Sequence, residues 1–200
     1  MSEEVGKVYD QLGGTYLEKL EGAAPMARAD FIHKLPPGSH VIDIGCAGGR
    51  DSEIFAHHGK VTGIDVAETF VKAAQQRVPG GTFYVADALA MPFEGETFDA
   101  AWANAVFVHL EKEQLPGALR ETARVLKSGA TFFLRVKEKH VGDPEAVAKA
   151  NEGRASEYTY FSKKEVEQAL EHAGFVIDSL RQTESSRRGL VWIEIFAHKK

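Results

Sequence analysis

Val41-Ile42-Asp43-Ile44 runs straight into Gly45-Cys46-Ala47-Gly48-Gly49-Arg50, and twenty-two residues after Asp43 a second apolar run, Val61-Thr62-Gly63-Ile64, ends in Asp65. The order predicts a strand, a glycine-rich turn, a helix and a second strand closed by an acid. Such a unit seats a nucleoside: backbone amides of the turn face the ligand's polar tail, and the acid accepts from the ribose hydroxyls. A dinucleotide fingerprint would need glycine at 47 and 50, where this chain has Ala47 and Arg50, so a cofactor without a diphosphate fits better.

A third acid, Asp87, follows Asp65 by another twenty-two residues and leads into Ala88-Leu89-Ala90-Met91-Pro92-Phe93. A carboxylate there can accept an adenine amino hydrogen while the amide of Ala88 meets a ring nitrogen. Next comes the buried-strand pattern Phe98-Asp99-Ala100-Ala101-Trp102-Ala103-Asn104, continuing through Ala105-Val106-Phe107-Val108-His109. Four strand ends thus converge on one crevice.

Outward from this unit, short apolar runs alternate with amphipathic stretches. Strands are expected near 41–45, 61–65, 82–86, 98–103 and 130–137, with helices near 50–58, 67–77 and 112–126 between them, which means a parallel sheet covered on both faces. Leu115, Ala118, Leu119, Thr122, Ala123 and Leu126 mark one helix by their three- and four-residue spacing, and Lys127-Ser128-Gly129 should end it. Ser162-Lys163-Lys164-Glu165 reads as a capping box opening another. Phe175 to Leu180 and Leu190 to Ala197 then follow without a helix between them, so this pair is expected to be antiparallel and to give the sheet a reversed edge. Two helical stretches, roughly 3–21 and 25–35, precede the sheet.

Two hundred residues with 44% apolar content fill one core, and no linker divides the chain, so a single domain is expected: a helical cap over 1–37 and a nucleoside-binding core over 38–200. The chain's start has no basic or apolar leader, and the apolar-rich stretch from Phe98 to Leu110 carries Asp99, Asn104 and His109, so nothing is expected to span a bilayer. With one cysteine, Cys46, there is no internal disulfide, and a cytoplasmic protein is expected. A net charge of −5 argues against long nucleic acid as the main ligand. The basic residues between Arg120 and Lys139, and at Arg187-Arg188 and Lys199-Lys200, read as solvated faces.

Taken as a set, Asp43-Ile44-Gly45-Cys46, Asp65, Asp87 with Met91-Pro92-Phe93, Phe98-Asp99 with His109, and Ala123 to Ala130 resemble the class I S-adenosylmethionine-dependent methyltransferases, most of all their small-molecule branch, over about residues 38–198. The resemblance implies a Rossmann-like three-layer α/β sandwich with a seven-stranded, mostly parallel sheet, the last strand antiparallel and an N-terminal helical lid. It further implies that Gly45, Cys46, Ala47 and Gly48 wrap the methionine part of S-adenosylmethionine, that Asp65 and the adjoining Val66 meet the ribose, that Asp87 with Ala88 reads the adenine, and that the main chain near Asn104 takes the methionine ammonium. Where this chain has Ala47 the family usually has glycine. No metal is called for.

His109 has two readings side by side, a general base for the acceptor, since its reference pKa is near 6.5, or a cap of the helix that follows. Asp43 can orient the turn amides or satisfy local donors, and Arg50 can touch the cofactor carboxylate or face solvent. Tyr9 and Tyr16, seven residues apart on one helix face, are lid candidates. The aromatics of Tyr158-Thr159-Tyr160-Phe161, Tyr160 among them, can line an acceptor pocket or fill core. Lys137 and Arg135 share a strand face, and two cations there would suit an anionic acceptor.

The expected activity is methyl transfer to oxygen, nitrogen or sulfur of a small molecule, by a monomer or a homodimer. Three alternatives stand beside it. Glu157-Tyr158-Thr159-Tyr160-Phe161 faintly resembles a segment of wobble-uridine methyltransferases of tRNA. A nicotinamide oxidoreductase shares the first two strands but not the glycines. A non-catalytic regulator could bind the same cofactor. Ala103-Asn104-Ala105-Val106 lacks the Asn/Asp-Pro-Pro-aromatic motif of base amino methylation, and no Pro-Cys nucleophile is present.

Overall fold

Alternate side chains along each central strand enter cores on opposite sides of one sheet, and this is what the apolar runs encode. The computed structural model describes residues 3–20, 27–138, 158–184 and 191–200. Its strands are β1 (His40–Ile44), β2 (Lys60–Asp65), β3 (Thr82–Val85), β4 (Phe98–Asn104), β5 (Leu126–Lys137), β6 (Phe175–Glu184) and β7 (Val191–Lys199), in the order β3-β2-β1-β4-β5-β7-β6. The helices are α1 (Glu3–Leu20), α2 (Ala27–His33), α3 (Arg50–Ala56), α4 (Glu68–Arg77), α5 (Leu115–Val125) and α6 (Lys163–His172). This is a Rossmann-like three-layer arrangement with a seven-stranded, mostly parallel sheet.

On β4, Ala100 and Trp102 face one core while Ala101 and Ala103 face the other. Trp102 is fully buried, stacked on Phe133 with centroids 4.0 Å apart and meeting Phe31 and Phe55 at 5.0 and 5.4 Å. Those two rings belong to α2 and α3, so Trp102 seats both helices on the sheet. On the opposite face, α5 and α6 bury Leu115, Leu119, Val166 and Leu170 against Phe132, Leu134 and Ile195. The capping box at Ser162 is formed, its hydroxyl accepting from the Glu165 amide at 3.3 Å and the Glu165 carboxylate accepting from the Ser162 amide at 2.6 Å.

Two expectations need correcting. The α5 helix ends at Val125 and the chain turns directly into β5: Leu126 pairs with Phe98, then Thr131 pairs with Ala100. Gly129, at φ 75°, therefore serves an irregularity inside the strand rather than a helix cap. The reversed strand also lies one place in from the edge. Antiparallel to both neighbours, β7 inserts between β5 and β6, and the edge strand β6 keeps the direction of the others. Residues 185–190, including Arg187-Arg188, lie outside the described part.

Across the carboxyl ends of β1 and β2 runs α1, interrupted at Gly13, where φ 46° and ψ −137° are not helical. It approaches the sheet closely at Gly6. A Cβ there would stand 2.8 Å from the Val66 carbonyl oxygen, a contact only glycine avoids. A Gly6→Ala substitution should therefore lift α1 without dismantling the core: limited proteolysis within residues 3–20 should accelerate while the thermal midpoint moves by no more than about 3 °C.

Candidate active site

Strand order reverses between β1 and β4, and ligand crevices in open parallel sheets form at such a point, outside the carboxyl ends. A cavity of about 230 Å³ opens there. Of the residues singled out from the sequence it gathers Asp43, Gly45, Cys46, Ala47, Gly48 and Arg50 at and after the end of β1, Asp65 and Val66 at the end of β2, Asn104 and His109 at and after the end of β4, and Tyr9 from α1.

The turn after β1 is clamped to β2. Gly45 and Cys46 donate their amides to the Ile64 carbonyl at 2.8 and 2.9 Å, and Ala47 donates to Asp65 Oδ2 at 3.0 Å. Asp65 Oδ1 accepts from the Ala67 amide at 3.0 Å. Gly45, at φ 73°, has no room for a side chain, since a Cβ would stand 2.4 Å from the Val106 side chain. Ala47 also lies in the left-handed region, at φ 46°, the place where the family's glycine would sit without strain. Burial raises the Cys46 thiol well above its usual range, so it is an inert small side chain here.

Beneath the turn is a buried polar hub that sequence reasoning missed. Asp51 Oδ2 accepts from Trp102 Nε1 at 2.9 Å and from Asn104 Nδ2 at 3.1 Å, while its Oδ1 meets Arg28 and Arg50, each at 3.1 Å. One carboxylate thereby joins α2, α3 and β4. Alongside it, Ser52 donates to Asp43 Oδ2 at 2.6 Å. Burial first, and then the charge of Asp51, push the Asp43 carboxyl well above the usual carboxylate range. Asn104 donates an amide hydrogen to Asp51, and its buried Oδ1 has no hydrogen-bond partner among the described residues. An orphaned acceptor beside the cavity, above a turn shaped by Gly45, fits a ligand that brings a donor such as an ammonium.

His109 and Tyr9 meet across the cavity, the Tyr9 hydroxyl 3.2 Å from Nε2, and Tyr158 stands against the imidazole with centroids 5.2 Å apart. The cap reading of His109 gives way here, since Glu111 and Gln114 form the capping box of the following helical turn.

Other expectations divide. Arg135 lines the cavity, but its Nε lies 3.1 Å from Glu194 Oε1, too poorly aligned for a hydrogen bond, and its guanidinium covers the Trp192 ring at 4.2 Å. Glu194 also accepts from Arg181 Nε at 2.8 Å. Lys137 is buried and outside the lining, its ammonium 4.3 Å from the Tyr158 ring, 4.7 Å from Trp192 and 5.9 Å from Tyr160. Tyr160 is likewise outside the lining. Asp87 and Ala88 are too: Asp87 Oδ1 accepts from the Leu89 amide at 2.9 Å, and Ala88 is buried in the core. Tyr16 belongs to α1, and its side chain lies outside the described residues.

The remaining lining residues include Leu17, Phe70, Arg77, Val108, Tyr158 and Trp192. Asp51 had a local signal, an acid in the first turn of a helix next to a glycine turn. Trp192 had none, because only the pairing of Lys137 with Trp192 in the antiparallel register brings it here.

Comparison with known proteins agrees with this geometry. The family profile described as a methyltransferase domain matches residues 42–134. The chain is 32% identical over 125 residues to an O-methyltransferase of Aspergillus sclerotiorum, covering 58% of this chain and 47% of that protein. It is 33% identical over 137 residues to a tRNA (carboxymethyluridine(34)-5-O)-methyltransferase of Xenopus tropicalis, covering 67% and 21%. Among solved structures, the cyclase SpnF superposes with a TM-score of 0.80 at 19% identity, covering 100% of this chain and 96% of that one. The chain belongs to the class I S-adenosylmethionine-dependent methyltransferase family. It spans about half or less of the length of the two curated relatives just described.

Two measurements follow from the turn. Relieving the left-handed alanine by Ala47→Gly should stabilise the chain by up to about 1 kcal/mol in urea titrations. Burial raises the Asp65 carboxyl to about 6, against hydrogen bonds from the Ala67, Ala47 and Val66 amides that pull it down. Its unfolded value is about 3.9, so between the two values the folded chain holds more protons. This group's stabilisation is therefore full below about pH 4 and is lost as pH rises through about 6. Urea titrations of Asp65→Asn from pH 4 to 7 should show a fall in stability smaller than that of the unaltered chain by roughly 2–3 kcal/mol.

Proposed function

We propose that this chain transfers the methyl group of S-adenosylmethionine to oxygen, nitrogen or sulfur of a small molecule. The observation that carries the reading is the convergence, in one cavity at the β1/β4 reversal, of the clamped glycine turn, the Asp65 carboxylate, the orphaned Asn104 Oδ1 and His109. When bound, S-adenosylmethionine supplies an electrophilic methyl group whose bond to sulfur breaks as the acceptor's bond to carbon forms, the electron pair staying on sulfur.

Each residue's part follows from its surroundings. Backbone amides hold the Asp65 carboxylate rigid, and its remaining lone pairs are open to a ribose hydroxyl. Asn104 Oδ1 accepts from the ammonium, and Arg50 and Arg77 offer cations to the carboxylate. Ala86 donates its amide to the Asp65 carbonyl at 3.0 Å, and Asp87, the next residue, would accept from an adenine that extends past the cavity. The acceptor enters on the side of Val108, His109 and Tyr158, and His109 takes its proton. Holding the acceptor in line and excluding water supply most of the rate, about 7–11 kcal/mol of barrier lowering. Glu194 is shared between Arg135 and Arg181, so one carboxylate faces two guanidiniums and an anionic acceptor stays within this reading. A cytoplasmic location belongs to this reading and rests on the single buried cysteine.

The relative acting on tRNA favours one second reading, a nucleoside within tRNA as acceptor, against which the charge of −5 counts. The deciding experiment is titration calorimetry with S-adenosylhomocysteine followed by a screen of small acceptors and tRNA with labelled S-adenosylmethionine. Binding should be present and should weaken roughly 10- to 100-fold in Asp65→Ala. No heat with the folded chain would refute the reading, and label entering tRNA alone would establish the second.

A further inference from the structure

The lid and the proposed base are in direct contact. Tyr9 sits between two anchors of α1, with Gly6 three residues before it against the Val66 carbonyl and Asp10 immediately after. Asp10 Oδ1 accepts from both the Thr69 amide, at 2.9 Å, and the Thr69 hydroxyl, at 2.7 Å, which latches α1 to the first turn of α4. These hydrogen bonds and the neighbouring charge of Lys72 hold the Asp10 carboxyl below its ordinary value. With the helix latched, the Tyr9 ring packs on Phe70 with centroids 5.7 Å apart and meets the His109 ring edge-on at 5.4 Å and 80°. Its hydroxyl and His109 Nε2, 3.2 Å apart, share one hydrogen whichever of them carries it.

We infer that Tyr9 is the positioning residue for His109, so that the imidazole is held ready to take the acceptor's proton only while α1 is docked. This rests on the proposed methyl transfer and assigns the lid a part in it. A histidine on a short helical turn, Phe107–His109, keeps rotational freedom about its side-chain bonds unless both sides are fixed. Tyr158 bounds one side at 5.2 Å, and Tyr9 bounds the other and adds a hydrogen bond that orients the ring. Charge also balances. One positive charge disappears at sulfur while the acceptor's proton creates one on the imidazole, so the closed cavity never has to hold an extra charge away from water. The imidazolium is then met by the phenol oxygen of Tyr9 and the ring of Tyr158, both of which favour a cation. Opening of the lid would release the proton to solvent together with the products.

The test is Tyr9→Phe, which keeps the ring packing on Phe70 and removes only the hydroxyl. Its first readout needs no turnover. In the chain with S-adenosylhomocysteine bound, the ¹⁵N resonances of the His109 ring should move in Tyr9→Phe, while the affinity for S-adenosylhomocysteine stays within about twofold, a difference of less than 1 kcal/mol. With the acceptor found in the screen, kcat should fall roughly 10- to 100-fold with little change in acceptor KM, a part of the range that acid–base catalysis spans. Asp10→Ala, which unlatches the helix, should shift the same His109 resonances in the same direction. Unmoved His109 resonances in Tyr9→Phe overturn the inference by themselves, and so does a kcat equal to that of the unaltered chain. The two proposals fail differently: an unaltered chain that binds no S-adenosylhomocysteine refutes the methyltransferase reading, whereas one that binds and turns over equally well without the Tyr9 hydroxyl refutes only the role of the lid.

Discussion

Everything at the carboxyl edge of the sheet depends on how the turn after β1 is fastened to the end of β2. Three amides of that turn are spent on β2, two on the Ile64 carbonyl and one on the Asp65 carboxylate. A glycine-rich turn left to itself would sample many conformations, and the entropy of fixing it is met here by hydrogen bonds to a rigid strand. The clamp requires that no side chain intervene, which is why Gly45 packs against Val106 and Gly63 lies beneath Phe83. With the turn fixed, Asp65 is fixed too, because the same amide that holds the turn orients the carboxylate.

A consequence is a concentration of buried negative charge. Asp43 and Asp65, at the ends of β1 and β2, and Asp51, in the first turn of α3, are all buried, and burial disfavours the ionised form of Asp43 and Asp65. The chain answers with different devices: a serine hydroxyl for Asp43, two arginines, an indole and an amide for Asp51, and backbone amides for Asp65. Asp51 is the best compensated and carries a structural load, joining two helices to the central strand. Asp65 is held by backbone donors alone, which leaves its outer lone pairs to the cavity and suits it to a ligand with hydroxyl groups.

Legibility tracked sequence distance. The strand–turn–helix–strand unit from Val41 to Asp65 could be read directly because its signals are local: an apolar run, consecutive glycines, and an acid at a set spacing. The capping box at Ser162 was equally plain, and so was the antiparallel sense of β6 and β7, which follows from a connection too short to cross over. The start of β5 was misplaced because Lys127-Ser128-Gly129 carries the composition of a helix stop, and only the pairing of Leu126 with Phe98 makes it an irregularity in a strand. Lys137 and Arg135 do share a strand face, yet nothing near them in the chain signals that Glu194, fifty-nine residues on, would meet Arg135 or that aromatic rings would surround Lys137.

By itself, then, the amino-acid order determined the α/β class, the glycine turn and the acids at the ends of β1 and β2, since each rests on backbone preferences and spacings of a few residues. Tertiary structure alone decided that Asp51 ties Trp102 and Asn104 to two helices, that Trp192 reaches the cavity, and that Tyr9 touches His109 from one hundred residues away. Those contacts depend on strand register and on the docking of α1, which are set by the packing of the whole sheet and leave no mark in any short stretch of chain.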